Sequence, residues 1–214
     1  MRFSTFSGAA VLLIALSSAA SATTFTFDQA PFAGVDVRNI PGRQIVGGEQ
    51  FISFSPATDV FSLESTVFNV GSDVNFANDP VSALPQSANV IVLETLDNDN
   101  NPLTPFGAGQ AADLIASRIT TPGPGFFIYF NQSLNLPRLV YSTDLSSNTA
   151  DLQILARMLN LFGAEGQNAL PNFTAANFEI TTATNATPEP ASLLLLLSAL
   201  AARCAILWFM RSHA

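Results

Sequence analysis

Ala88-Asn89-Val90-Ile91-Val92-Leu93-Glu94-Thr95-Leu96 is the most strongly apolar candidate strand in the body of the chain. Three of its four central residues are β-branched, and such side chains are stiff at χ1 and pack well on a pleated surface. The run is short, as strands are, and an Asp/Asn-rich turn signal follows it. It predicts a central strand, with Val90, Val92 and Glu94 on one face and the glutamate at that face's edge.

Further strand signals extend outward from it. Residues 23–27 alternate polar and apolar side chains. Residues 50–55 and 59–70 are β-branched and aromatic runs split by Pro56. Residues 114–120 predict another strand, and residues 125–134 and 138–143 predict a pair joined through Asn135-Leu136-Pro137. Residues 173–181 predict the last strand. Short strands at this spacing, separated by Gly, Pro, Asn and Asp, predict a mainly β domain, an antiparallel β-sandwich or jelly roll.

One helix is expected, over residues 149–162. Asn148 offers an N-cap, Asp151 lies in the first turn and Gly163 suits the C′ position. Leu152, Leu155, Leu159 and Phe162 fall on one helical face, with Ile154 and Met158 beside it. This helix is expected to cover one end or edge of the sandwich.

Composition narrows the function. The chain has 214 residues and no lysine. Residues 23–187 hold fifteen acidic residues and five arginines (Arg38, Arg43, Arg118, Arg138 and Arg157), a net charge near −10. That balance argues against nucleic acid as a partner. The single cysteine, Cys204, and the single histidine, His213, both lie near the C-terminus. The body of the chain therefore has no disulfide, no Ser–His or Cys–His catalysis and no thiolate or imidazole metal site. Phenylalanine is abundant and Tyr129 and Tyr141 are the two tyrosines, which suits a packed core.

Asp97-Asn98-Asp99-Asn100-Asn101-Pro102 is the one site-like cluster. Alternating Asp suggests a calcium loop, but the invariant glycine and distal glutamate of an EF-hand are missing. Asp and Asn also build turns, and the expectation is a turn between strands. Glu64, Glu94, Glu165 and Glu179 are the carboxylates that a glycosidase pair would draw on. No spacing pairs them. Gly107-Ala108-Gly109 lacks the lysine and the length of a phosphate loop and is expected to join two strands. No catalytic, cofactor or metal residue is assigned, and no enzyme activity is expected.

The two ends carry an address. Arg2 provides a positive n-region, residues 9–16 an apolar h-region, and Ala20-Ser21-Ala22 a small-x-small cleavage site. Residues 1–22 are thus expected to be a signal peptide, with the mature chain beginning at Thr23. Residues 181–190 form a small, threonine-rich linker ending in Pro188-Glu189-Pro190. Residues 191–210 then give twenty residues, about 30 Å of helix, enough for one hydrocarbon core. They hold nine Leu, Ile or Phe residues, each favouring insertion by about 0.3–0.6 kcal/mol, against about 2.5–3.5 kcal/mol for a mid-helix Arg203. Residues 191–214 are expected to be a transmembrane tail.

A secretory signal, the Pro188-Glu189-Pro190 triplet, an apolar helix and the basic residues Arg203 and Arg211 together resemble the PEP-CTERM sorting signal. Members of that family usually carry a compact arginine cluster directly after the helix, whereas here Arg203 and Arg211 are separated by an apolar stretch. The segment from Arg138-Leu-Val-Tyr-Ser-Thr-Asp144 to Phe178 also resembles domains carried by other PEP-CTERM proteins. The resemblance implies an exosortase-type processing enzyme and the bacterial membrane as partners, with exopolysaccharide as surroundings. It implies export, transient anchoring and a place at the cell surface. A non-enzymatic surface or matrix protein is the expectation, and a carbohydrate-binding or carbohydrate-active sandwich is the alternative.

Overall fold

The computed structural model describes residues 21–35, 42–101 and 103–182. Nearly all of the proposed signal peptide, most of the linker, Pro188-Glu189-Pro190 and the tail with Arg203 and Arg211 lie outside the described residues.

The fold is mainly β. Strand β1 is Thr24–Phe27, β2 Ile45–Val46, β3 Gln50–Ile52, β4 Val60–Glu64, and β5 Phe76–Asp79. Strand β6 is Val90–Leu93, β7 Gly125–Asn131, β8 Leu136–Ser142, β9 Leu152–Met158, and β10 Phe178–Thr181. The α-helices are short: α1 Ser65–Phe68, α2 Ala108–Ala116 and α3 Ala164–Ala169. Among the described residues, no helix is long and apolar enough to cross a membrane.

The strands form two sheets. The smaller has the order β1-β4-β10, with both pairings parallel. The larger runs β2-β9-β8-β7-β6-β5, and β3 also pairs with β9. Strands β2 and β3 meet β9 at successive positions, Ile45 opposite Leu152 and Ile52 opposite Met158, so they form one edge interrupted at Gly47, Gly48 and Glu49. Gly48, at φ +123°, makes the break in a conformation that a side chain would resist.

Strand β6 explains the layering. All four of its residues are fully buried. Val90 and Val92 join Phe27, Phe61, Leu63, Phe126 and Met158 in one cluster that draws on both sheets. Ile91 and Leu93 join a second cluster with Phe127, Val140 and Ile154. Helix α2 covers that second face with Ala108, Ala111, Ala112 and Ile115. Burying each large aliphatic side chain stabilises the fold by roughly 1.5–3 kcal/mol.

Several expectations need correction. Six of the eight strand pairings are parallel, and β7·β8 and β8·β9 are the antiparallel ones, so the pairing is not that of an antiparallel jelly roll. The α2 crossover between β6 and β7 makes a parallel pair there, and these two strands are buried on both faces. Residues 149–162 are not a helix, because β9 occupies their middle. Residues 114–120 are not a strand, since Leu114 to Ala116 close α2. Gly107 opens α2 instead of joining strands. Its N–H donates to Gln110 Oε1 at 3.2 Å, which satisfies one of the free N-terminal donors.

Other expectations are met. Strands β7 and β8 pair antiparallel from Gly125 opposite Ser142 to Asn131 opposite Leu136. Residues 88–96 contain β6, flanked by β5 and β7 within the sheet.

Candidate functional site

The Asp97–Asn101 cluster is built as a turn. Asp97 Oδ1 accepts from Asn98 N at 2.7 Å and Asp99 N at 3.3 Å. Asp99 Oδ1 accepts from Asn101 N at 2.9 Å, and its Oδ2 accepts from the Thr104 hydroxyl at 2.6 Å. Asn100 takes the left-handed conformation at φ 56°, which Asn tolerates. The Thr104 hydroxyl, helped by the Asn101 amide, holds the Asp99 carboxyl below its usual value. These oxygens are committed to the loop's own donors, and no group of three or more metal-ligating side chains occurs among the described residues.

Two of the four candidate glutamates share one sheet face, and the other two lie elsewhere. Strand register places Glu179 opposite Ser62 and Glu64 opposite Thr181, so Glu64 and Glu179 share the outer face of the small sheet. Glu94 follows β6, and Glu165 lies in the first turn of α3.

A different constellation was not found from the sequence. Tyr129, Arg138, Arg157 and Phe51 stand in register across β7, β8, β9 and β3. They share the sheet face that α2 covers further along. Glu49, in the interruption between β2 and β3, binds both Arg138 and Arg157. The side chains of Glu49, Arg138 and Arg157 are 11%, 14% and 25% exposed. Arg157 lies over the Phe51 ring, 5.1 Å from its centroid, while Phe51 itself is 63% exposed. The Tyr129 hydroxyl accepts from Asn131 Nδ2 at 2.8 Å, and burial pushes its pKa up against the opposing pull of Arg138. The Nε atoms of Arg138 and Arg157 are buried without a hydrogen-bond partner.

This row offers a largely exposed aromatic side chain beside a guanidinium and a carboxylate. Such groups stack on an apolar ring face and hydrogen-bond hydroxyls. The sequence signal was the pair of arginines inside otherwise apolar strand runs. Its partner Glu49 lies 89 and 108 residues away, too far for any local pattern to link them.

The described surface also carries several hollows, one of about 480 Å³ lined by Asp97, Asn100 and Gln132 beside the turn. Another, of about 100 Å³, opens between Thr26, Gln29, Gly48 and Gln153, smaller than the roughly 300 Å³ at which ligand pockets begin. A third, of about 310 Å³, is lined by Asn69, Asn75, Asn89 and Pro122 and carries no charged side chain.

Compared with known proteins, the chain matches no family model, no curated protein and no solved structure.

Proposed function

We propose that this chain is an exported, non-enzymatic cell-surface or extracellular-matrix protein whose C-terminal segment is a sorting signal. The observation that carries this reading is the placement of Pro188-Glu189-Pro190 between a threonine-rich linker and an apolar, arginine-bearing tail. An exosortase-type enzyme is the processing partner, the membrane is the transient anchor, and exopolysaccharide is the surrounding matrix. The two sheets, joined through one apolar cluster, act as a sandwich-type module.

The limits of the described strands support this reading. The first described strand begins at Thr24, two residues after the proposed cleavage at Ala22, and the last ends at Thr181, the first residue of the expected linker. Leader and tail can then be removed without breaking any of the described strands. Changing Pro188, Glu189 and Pro190 to alanine in an exosortase-bearing host tests the assignment. A full-length, membrane-bound product is expected, and normal trimming of the variant overturns it.

A second reading, a carbohydrate-binding module, is favoured by Phe51 beside Arg157 and Glu49. Glycan-array binding that is lost in Phe51→Ala supports it. An array on which neither protein binds goes against it.

A further inference from the structure

Thr23, the residue expected to begin the mature chain, is also the first described residue that pairs with the small sheet. Its carbonyl accepts from Val60 N at 2.9 Å, and its N–H donates to Asp59 Oδ1 at 3.0 Å. Ser21 and Ala22 before it are exposed.

Asp59 is 5% exposed. Its carboxylate also accepts from Ser55 N at 2.9 Å and from the Thr58 hydroxyl at 3.0 Å. The ion pairs among the described residues are Arg43–Asp113, Arg138–Glu49 and Arg157–Glu49, so no side-chain cation there pairs with Asp59. A buried carboxylate held by neutral donors gains further from an opposite charge brought to it. Asp59 also sits at the junction of the small sheet. It immediately precedes β4, and its carbonyl accepts from Asn177 Nδ2 at 2.8 Å just before β10.

We propose that removal of the leader completes this junction by turning the Thr23 amide into an α-ammonium that forms an ion pair with Asp59. Hydrolysis of the Ala22–Thr23 amide adds one water across the bond, leaving a carboxylate on Ala22 and an ammonium on Thr23. A hydrogen bond charged on its acceptor alone becomes one charged on both sides. Thr23 is itself exposed, so the ammonium keeps part of its hydration while meeting the buried carboxylate. Maturation at one end of the chain thereby tightens the sheet whose last strand leads to the sorting tail. This inference rests on residues 1–22 being a cleaved leader.

The sequence supplies the experiment. With no lysine, the mature chain has a single primary amine, its own N-terminus. Chains running through Ala214 in detergent are prepared to begin at Thr23 or at Ser21, each with Asp59 or with Asp59→Asn. All are treated with a limiting amine-reactive N-hydroxysuccinimide ester. The Thr23-initiated wild type is expected to react about fivefold more slowly than the Ser21-initiated chain, the factor that about 1 kcal/mol supports. Its Tm is expected to be higher by about 2–4 °C. Both differences are expected to vanish in Asp59→Asn, and the comparison of the two wild-type chains stands alone if that variant does not fold. Mass analysis of the exported chain separates the two ways of failing. An N-terminus other than Thr23 overturns the leader reading and this proposal together. A Thr23 terminus with equal reactivity and Tm in the two wild-type chains overturns the ion pair alone.

Discussion

Phe54 stacks on Phe61 with ring centroids 4.1 Å apart and planes within 5° of parallel. Phe54 follows the edge strand of the large sheet and Phe61 is in the centre of the small one, so this contact ties the two sheets together. Phe173 also stacks on Phe54, at 5.5 Å. Both Phe54 and Phe61 are fully buried. Phe61→Ala is expected to cost about 3–5 kcal/mol, combining lost transfer energy with a cavity. Phe61→Leu is expected to cost clearly less. Urea unfolding of the two variants checks the order.

Much of this core was legible in the sequence, but not the connections within it. The β7–β8 pair was readable because its partners are neighbours in the chain and share one register. Strand β9 reads as a helix in the sequence for a definable reason. Leu139 pairs with Ala156 and Val140 with Ile154, which leaves Leu155 as an unpaired bulge. Leu155, Ala156 and Met158 join the cluster shared with the small sheet, while Leu152 and Ile154 join the cluster under α2. The bulge breaks the two-residue alternation, burial on both faces fills in the apolar positions, and the result imitates a helical stripe. Helix α2 did show its period, since Ala108, Ala111, Ala112 and Ile115 have helical spacing. Small alanines gave that stripe little weight beside Leu114, Ile115 and Ile119. The parallel pairings join segments far apart in sequence, as with β1 and β4, so no local pattern announces them. The Glu49 bridge was hidden in the same way.

Glu49→Ala leaves two guanidinium groups facing each other without their common partner. Breaking a buried pair costs about 3–5 kcal/mol, and partial exposure of this one lowers the expectation to about 2–4 kcal/mol. Arg157→Ala is expected to cost less, because Glu49 keeps Arg138. Thermal unfolding of both variants tests the ranking. Equal losses would contradict the bridging role of Glu49.

Asp144 gives the fold an acid limb. Burial opposes its charge, but its Oδ1 accepts from Gly123 N at 3.1 Å, Ser146 N at 2.9 Å and the Ser146 hydroxyl at 2.8 Å. Together these bonds hold the carboxyl below its ordinary value of 3.8. A depressed folded-state pKa stabilises the protein above the unfolded value, and that contribution is lost as pH falls through the folded one. Asp144→Asn is therefore expected to be less stable than wild type at neutral pH. The gap should close as pH falls below 3.8. Urea midpoints measured across that range test the sign, and a gap that widens in acid would contradict it.

Gly125 opens β7 where a side chain has no room. A Cβ there would stand 2.5 Å from Asn89 O and 2.5 Å from Leu145 Cδ1. That same Asn89 carbonyl accepts from Phe126 N at 2.8 Å. Gly125→Ala is expected to push β7 from β6 at an overpacking cost of about 1–3 kcal/mol. Faster amide hydrogen exchange at Phe126 would accompany the loss of stability.

The most direct test of the proposed sorting role is the intact mass of the protein recovered from two hosts, one with an exosortase and one with that enzyme deleted. The expected product in the first host begins at Thr23 and ends near Pro188-Glu189-Pro190, while the deletion host yields a chain that runs to Ala214. A chain that ends at Ala214 in both hosts, or is trimmed identically in both, would contradict the sorting role.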